Sequence, residues 1–199
     1  MVITPNIIRE TAKGREPVRI VDELLTKRKI FLTDQVNEES CTSLIKQLMY
    51  LETDAPGEEI KLYINSPGGE VSSGLAVYDF ITMMTSPVTT VCIGDAASMG
   101  AILFLAGTKR MMLPHSRIMI HDPHFSNADF SGQKPGEIEE KLNDLKATRN
   151  KLVKIISQRT GKPEEEVFKK TEKDSWFDVS EAIGFGLATE EIKDSTGLF

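Results

Sequence analysis

Residues 60–69 read IKLYINSPGG, and this segment combines a strand signal with an abrupt stop. Residues 60–64 follow the two-residue alternation of a β-strand, and the Asn-Ser-Pro-Gly-Gly sequence after them is a dense turn signal. From residue 71 to residue 84 the hydrophobic positions recur at the spacing of an α-helix. The segment therefore predicts a strand, a tight turn and a helix in immediate succession.

The succession of strand and helix signals extends in both directions along the chain. Further strand signals lie at residues 30–32, 88–93, 110–113 and 117–120, and helix signals lie at residues 39–51, 97–105 and 137–159. Strands that are joined through helices by short connections form a mainly parallel sheet covered by helices. With 199 residues and no internal linker, the sequence predicts one α/β domain with a single core.

The composition excludes several classes of protein. Lys and Arg number 24 against 30 Asp and Glu, so the net charge is -6 and the basic face of a nucleic-acid-binding protein is not expected. The longest apolar run, residues 96–106, is far shorter than the ~20 residues that span a membrane, and the amino terminus lacks the pattern of a secretory signal. Cys41 and Cys92 cannot build a disulfide framework. We therefore expect a soluble, cytoplasmic protein that binds neither nucleic acid nor membrane.

Ser98 is the first candidate for chemistry. It lies in the small-residue segment GDAASMGA at positions 94–101, between the predicted strand at 88–93 and the predicted buried helix. A serine at such a junction has the free N–H groups of a helix N-terminus beside it, and these can stabilise an oxyanion. It can also be an ordinary helix cap, and the residues around Ser98 alone favour the cap.

The turn at residues 66–69, Ser-Pro-Gly-Gly, is the second candidate. A phosphate-binding loop would continue with Gly-Lys-Ser or Gly-Lys-Thr, whereas Glu70, Val71 and Ser72 follow here, and the carboxylate of Glu70 would repel phosphate. Glycines can present backbone N–H groups to a substrate because no side chain covers them. The alternative is a plain tight turn between strand and helix.

His115, His121 and His124 are the only histidines, so a general base has few candidates. His121 follows the predicted strand at 117–120, and the carboxyl ends of parallel strands commonly line a cleft. Its neighbour Asp122 is expected to point away from it, because successive residues of a strand face opposite sides. A zinc site is not expected from so few His and Cys residues.

Asp174 is the candidate carboxylate that would orient this histidine. It lies in a segment predicted to be irregular, residues 171–177, between two predicted helices and beside the only tryptophan, Trp176. Asp178 competes for the role, but Glu181 follows it at the spacing of a capping box, which gives Asp178 a structural task.

Taken together, these segments resemble the Clp protease family of proteolytic subunits, the ClpP family. The residues that carry the resemblance are 62–69, 96–101, 113–114, 119–121, 171–174, 181–182 and 186–187. They occur in the family's order over almost the whole chain. Each motif is short, but the set is highly specific.

The resemblance implies a crotonase-like α/β fold, with parallel sheets covered by helices and a protruding handle helix. It implies a single peptidase domain over residues 1–199. Residues 1–20 would be a flexible segment at an axial pore, and residues 122–160 would form the handle loop and helix.

The resemblance also implies a serine peptidase and assigns a role to each matching residue. Ser98 would be the nucleophile, His121 the general base and Asp174 the orienting carboxylate. The backbone N–H groups of Gly69 and Met99 would form the oxyanion hole. No metal or cofactor is implied, because the partner of such a subunit, and not the subunit itself, uses ATP.

The partners that the resemblance implies are copies of the chain and an ATPase. Such subunits self-associate into heptameric rings stacked as a tetradecamer. An AAA+ unfoldase such as ClpX, ClpC or ClpA docks on an apolar cleft of the ring face and feeds unfolded polypeptides into the chamber. There they are cut to short peptides.

Three departures from the family pattern set this chain apart. The turn at residues 107–110 is slightly shorter than in the family, and Lys173 stands where arginine is usual. Residues 122–125, Asp-Pro-His-Phe, replace a glutamine, a proline and a glycine-rich strand. These changes suggest a divergent paralogue that needs a second ClpP type for full activity. The other hypotheses are a catalytically weak or structural ring subunit and a crotonase-fold enzyme acting on acyl-CoA.

Overall fold

The structure is a computed structural model, and it describes residues 4–12, 14–126 and 129–198. The elements follow one another along the chain in this order: β1 (Asn6–Thr11), β2 (Gly14–Arg19), α1 (Ile20–Thr26), β3 (Lys29–Leu32), α2 (Glu38–Asp54), β4 (Ile60–Ser66), α3 (Val71–Met83), β5 (Val88–Ala97), α4 (Met99–Ala106), β6 (Lys109–Met112), β7 (Arg117–Ile120), α5 (Pro135–Thr160), α6 (Glu164–Thr171), β8 (Ser175–Phe177), α7 (Val179–Phe185), β9 (Glu190–Glu191) and α8 (Ser195–Leu198).

A mainly parallel sheet forms the centre of the domain. Its strands lie in the order β3-β4-β5-β6-β9, and each neighbouring pair is parallel. β7 pairs in parallel with the last residues of β5, and β8 is antiparallel to β7. The helices α2, α3 and α4 each connect one strand of the sheet to the next. The predicted α/β fold with a parallel sheet and flanking helices is therefore confirmed.

β5 is longer than the sequence signal predicted. The signal covered residues 88–93, whereas the strand continues to Ala97. Gly94 lies inside the strand, where the side chain of Asn65 takes the space that a Cβ would need and accepts a hydrogen bond from the following backbone N–H at 3.0 Å. The first half of β5 pairs with β6 and the second half with β7. One strand thus joins two parts of the sheet and ends directly before Ser98.

The core lies where α4 packs against the sheet. Every residue of α4 is buried, as predicted for a buried helix at residues 97–105, although the helix begins two residues later. α2 carries a buried row at Cys41, Leu44, Leu48 and Leu51, and a capping box between Asn37 and Ser40 sets its start. Apolar burial on this scale is the main stabilising contribution to such a domain.

Residues 6–19 form the antiparallel hairpin of β1 and β2. Most of its described side chains are exposed. This hairpin occupies the segment that we expect at an axial pore, and that role stays a prediction. Residues 1–3 and 13 of the same segment lie outside the described residues.

α5 spans 26 residues, and its buried residues all lie near its end, at Leu152, Val153 and Ile156. Leu142, nearer the start, has 41 % of its surface exposed. The helix ends at Gly161, whose φ of 74° lets the chain turn away. The first part of α5 therefore presents apolar side chains that the described residues do not cover. No helix among these residues, α5 included, is both long and apolar enough to cross a membrane.

Candidate active site

Ser98 occupies the turn between β5 and α4 in an unusual backbone conformation. Its φ is 54° and its ψ is -121°, a combination that residues with a side chain rarely adopt. Two neighbours hold it there. Ser98 N–H donates to Met119 O at 2.9 Å, and Gly68 lies so close that a Cβ on it would be 2.6 Å from the Cβ of Ser98. The Ser98 side chain makes no capping hydrogen bond, so its hydroxyl can serve another group.

His121 provides that other group. Its Nε2 lies 2.8 Å from the Oγ of Ser98, which is a normal distance for a hydrogen bond. The parallel pairing of β7 with the end of β5 causes this contact. Because Met119 lies opposite Ala97, Ser98 and His121 follow their strands at the same edge of the sheet. The His121 side chain is only 15 % exposed. The structure therefore brings together the predicted nucleophile and the predicted base.

The protonation of His121 favours its use as a base. Burial lowers the pKa of His121, and this effect is larger than the upward effect of the Asp174 carboxylate. The ring of His124, 5.4 Å away, lowers the pKa further. A neutral imidazole whose Nε2 faces a hydroxyl can accept a proton from it.

Asp174 lies near His121 but does not form a hydrogen bond with it. Its Oδ1 is 3.7 Å from the Nδ1 of His121, beyond hydrogen-bonding distance, and its side chain is 68 % exposed. Asp174 directly precedes β8, and the pairing of Ser175 with Ile120 places it beside the end of β7. The expectation of an irregular segment at residues 171–177 is thus wrong for β8, because this strand gains its hydrogen bonds from a partner distant in sequence.

The competing residues have other surroundings. His115 is exposed in the turn before β7. Asp178 forms the expected capping box, in which its Oδ1 accepts from Glu181 N–H at 2.9 Å and Glu181 Oε2 accepts from Asp178 N–H at 3.0 Å. The assignment of Asp178 to helix capping is confirmed. The ring of His124 lies tilted against the ring of His121.

The turn at residues 66–69 is held against both Ser98 and the segment before α2. Val36 N–H donates to Gly68 O and Glu70 N–H donates to Val36 O, each at 2.8 Å. Gly69 has a φ of 148°, and a Cβ there would clash with Val36 O, so only glycine fits. Among the described residues, neither Gly69 N–H nor Met99 N–H donates a hydrogen bond. Both predicted oxyanion donors are therefore without an acceptor.

A pocket opens beside Ser98, and its walls are mainly apolar. Most of the apolar side chains that line it come from α3, α4 and α5, and Ile120 and Pro123 contribute from the end of β7 and the chain after it; those of the helices are Val71, Met99, Ile102, Leu152, Val153 and Ile156. The buried end of α5 therefore forms one wall of the candidate site. Apolar walls of this kind suit an apolar part of a substrate next to the serine.

Asp122 and Arg149 also line this pocket, and the sequence reasoning missed them. The expectation that Asp122 points away from His121 is wrong, because β7 ends at Ile120 and the strand alternation does not continue beyond it. Asp122 N–H instead donates to Thr171 O at 2.6 Å, and its carboxylate pairs with Arg149. The only sequence signal was the acidic residue after His121; the contribution of α5 depends on packing.

The described residues offer no cluster for a metal. No group of three or more His, Cys, Asp or Glu side chains in this part of the chain could hold a metal ion. Cys41 and Cys92 are buried and unpaired by any disulfide.

Ser98 and His121 are in contact at the edge of a parallel sheet, with an apolar pocket and two unused N–H groups beside them. This arrangement is suited to acyl transfer. A family model described as Clp protease matches residues 12–195. This chain belongs to the Clp protease family.

Membership confirms the resemblance found in the sequence and the ClpP-type fold expected from it. It supports a ClpP-type peptidase, and it implies oligomeric rings that work with Clp ATPases in general.

Proposed function

We propose that the chain is a serine endopeptidase subunit that degrades unfolded proteins to short peptides. The observation that carries the proposal is the 2.8 Å contact between Ser98 Oγ and His121 Nε2. In a chain of the Clp protease family, this contact joins the two residue types that start serine peptidase chemistry.

The proposed reaction begins with Ser98. Its Oγ attacks the peptide carbonyl carbon while His121 Nε2 takes the hydroxyl proton. The negative charge that forms on the carbonyl oxygen is stabilised by the N–H groups of Gly69 and Met99. His121 then gives its proton to the leaving amine and next activates a water, which hydrolyses the acyl-enzyme and restores the serine.

Asp174 would stabilise the imidazolium that forms during these steps. At 3.7 Å it attracts the positive charge but does not yet accept a hydrogen bond from Nδ1–H. Its side chain is 68 % exposed, so water competes for the carboxylate. We infer that substrate or a neighbouring subunit covers Asp174 and lets it close onto His121.

Self-association is supported by apolar surface that the described residues leave uncovered. On the first part of α5, Leu142 is 41 % exposed and suits a second copy of the chain. On α2 and α3, Met49, Tyr50 and Met83 are 53 %, 52 % and 85 % exposed. We propose stacked heptameric rings that enclose the sites in the cytoplasm and receive substrates from an AAA+ unfoldase such as ClpX, ClpC or ClpA.

A catalytically weak or structural subunit in a mixed ring is the second candidate. The exposure of Asp174 and its distance from His121 favour it. The described residues between His121 and α5 also form no strand. The departure of residues 122–125 from the family pattern likewise favours a subunit that is weak on its own. In this form the chain needs a second ClpP paralogue for full activity.

One labelling experiment separates the two candidates. The purified chain is treated with a serine-reactive fluorophosphonate, alone and mixed with a second ClpP type. Ser98→Ala should abolish labelling of this chain, whereas Ser72→Ala, which removes an exposed serine on α3, should not. Labelling of Ser98 in the chain alone supports an independent peptidase. Labelling of Ser98 only in the mixture supports the mixed ring. Absence of Ser98 labelling in both preparations supports a structural subunit.

A further inference from the structure

The ring of His121 lacks the second hydrogen bond that usually orients a histidine base. Its Nε2 faces Ser98 Oγ, and this is the only hydrogen bond of the ring among the described residues. A carboxylate or carbonyl bonded to the other ring nitrogen normally fixes the imidazole, but Asp174 Oδ1 lies 3.7 Å from Nδ1. β7 also ends at Ile120, so strand pairing does not extend to His121. The position of this base therefore depends on how the chain directly after it is held.

Asp122, the next residue, holds that chain through two contacts. Its backbone N–H donates to Thr171 O at 2.6 Å, which ties it to the end of α6. Its side chain is 25 % exposed, and its carboxylate Oδ2 lies 3.5 Å from Arg149 Nη1 on α5. The residue beside His121 is thus connected to both helices.

Arg149 joins the two segments that carry the base and its carboxylate. Its Nη1 faces Asp122, while its guanidinium lies over the ring of Phe168 on α6, with Cζ 5.1 Å from the ring centre. Phe168 and Thr171 belong to the last turn of α6, and the chain reaches Asp174 three residues later. One side chain of α5 therefore contacts the chain next to His121 and the helix that leads to Asp174.

The bonding of this ion pair favours a positional role over a stabilising one. A single contact of 3.5 Å is longer than the hydrogen bonds of a bidentate arginine–carboxylate pair. Among the described residues, Asp122 Oδ1 and Arg149 Nε are buried without a hydrogen-bond partner. Because the cost of desolvating such ions is repaid only by complete bonding, the pair adds little to the free energy of unfolding. What its contacts do is fix the segments around residues 121 and 171 relative to each other.

We propose that Asp122 and Arg149 are positioning residues for His121. The proposal rests on the proposed peptidase function, because it takes His121 as the base. Arg149 attracts the Asp122 carboxylate from α5, and the Thr171 carbonyl holds the Asp122 backbone from α6. Together these contacts keep the imidazole against Ser98 Oγ without a hydrogen bond from Asp174. In this role the pair acts through His121 and not on the substrate.

The test measures the rate and the final extent of fluorophosphonate labelling of Ser98, read from the mass of the peptide that contains it. The preparation is the one in which the unaltered chain is labelled, either alone or mixed with a second ClpP type. All rates are taken at about pH 8, where a histidine with a pKa below 6.5 is neutral, so changes of that pKa do not affect them. The final extent counts the competent sites, whereas the rate per site reports how well His121 activates the serine.

Variants of the two residues should slow labelling without reducing its final extent. Arg149→Met and Asp122→Asn should each lower the rate per site by at least ~10-fold, because a displacement of about 1 Å can cost ~100-fold. The double variant should be no slower than the slower single variant, since each residue acts through the other. Arg149→Lys should stay within ~3-fold of the unaltered chain, because a single contact needs the charge but not the guanidinium fork. Lys151→Met, which removes an exposed cation from the same helix, is the control and should label at the full rate.

The outcomes separate the positioning role from the function on which it depends. Unaltered rates in Arg149→Met and Asp122→Asn overturn the positioning role and leave the peptidase function intact. A lower final extent with an unchanged rate per site also overturns it, because the pair would then serve stability alone. The same holds if Arg149→Lys is as slow as Arg149→Met, or if the double variant shows the product of the two single losses. Absence of labelling of the unaltered chain, alone and in the mixture, overturns the peptidase function and the positioning role with it.

Discussion

Gly68 lies against Ser98 so closely that a Cβ on the glycine would be 2.6 Å from the Cβ of the serine. The same added atom would be 2.6 Å from Ala97 O and 2.8 Å from Met99 N. The glycine turn therefore determines where the serine, the start of α4 and a predicted oxyanion donor can lie. The unusual φ of Ser98 persists because this contact and the hydrogen bond to Met119 leave little alternative.

Gly68→Ala is expected to displace Ser98 and to disrupt the site. A Cβ at this position must move backbone atoms, and the glycine φ of 89° is also unfavourable for alanine. We expect kcat/KM to fall by at least ~100-fold and the free energy of unfolding by about 1–3 kcal/mol. Gly184→Ala, in α7 with no atom within 4 Å of the added Cβ, is the control and should keep full activity. Normal Ser98 labelling in Gly68→Ala would contradict the argument.

The pH dependence should follow from the lowered pKa of His121. Because burial shifts this pKa below its usual 6.5, kcat/KM should stay at its plateau until the pH falls below that value. His124→Gln should raise the pKa of His121, because it removes a neighbouring ring that lowers it, and Asp174→Asn should lower it. The measurement is a pH profile of kcat/KM, with the exposed His115→Gln as control. An inflection above 6.5 in the unaltered chain is the contrary result.

The lowered pKa of His121 should also make the stability of the fold depend on pH. The unfolded chain binds a proton at His121 near pH 6.5, whereas the folded chain binds it only at lower pH because the folded pKa is lowered. Stability should therefore decrease as the pH falls from 6.5 towards the folded pKa. Urea unfolding at several pH values and fixed protein concentration checks this. His121→Gln should weaken the dependence of the free energy of unfolding on pH between 6.5 and the folded pKa.

Asp174 and Asp178 should separate activity from stability. Asp174→Ala removes a carboxylate that is 68 % exposed, so the free energy of unfolding should hardly change, while kcat/KM should fall by at least ~10-fold through loss of imidazolium stabilisation. Asp178→Ala removes the cap of α7 and should cost about 1 kcal/mol of stability with little effect on kcat/KM. Peptidase rates and thermal unfolding of both variants test the pair. A stability loss confined to Asp174→Ala would reverse the assignment.

The assembly should depend on the exposed first part of α5. Leu142→Glu places a charge on an apolar side chain that is 41 % exposed, so the single chain should still fold but should not form the full particle. Sedimentation velocity should show a loss of the largest species. Lys146→Glu, one turn further along an exposed face, is the control for added negative charge. Full-size particles of Leu142→Glu would show that α5 does not join copies of the chain.

A buried arginine is expected to hold the carboxyl-terminal part of the domain to the sheet. Arg110 is 8 % exposed and donates to Leu187 O at 2.7 Å and to Gly186 O at 3.1 Å. Arg110→Met would leave these carbonyl groups without their donor and should lower the free energy of unfolding by about 2–4 kcal/mol. Arg15→Met, at a side chain that is 77 % exposed, should change it by less than about 0.5 kcal/mol. Equal unfolding transitions for both variants would contradict this role.

Much of the fold could be predicted because its signals are local. The strand at 60–64, the turn at 66–69 and the helix after it appear in the structure within one or two residues of their predicted bounds. The capping box at Asp178 was equally clear, since capping depends on residues three apart. The end of β5 and the short strand β8 were missed because their hydrogen bonds come from β7, which lies elsewhere in the sequence.

By itself, the sequence determined the order of strands and helices from β3 to α5, the family resemblance, and the choice of Ser98, His121 and Asp174 as candidates from among few alternatives. The tertiary structure alone decided that Ser98 and His121 are in contact, that Asp174 stays 3.7 Å away, and that Asp122 pairs with Arg149 on α5. The reason is physical. Turns, caps and periodicity depend on neighbours along the chain, whereas a site depends on strand pairing and helix packing between segments that the sequence keeps 20 or more residues apart.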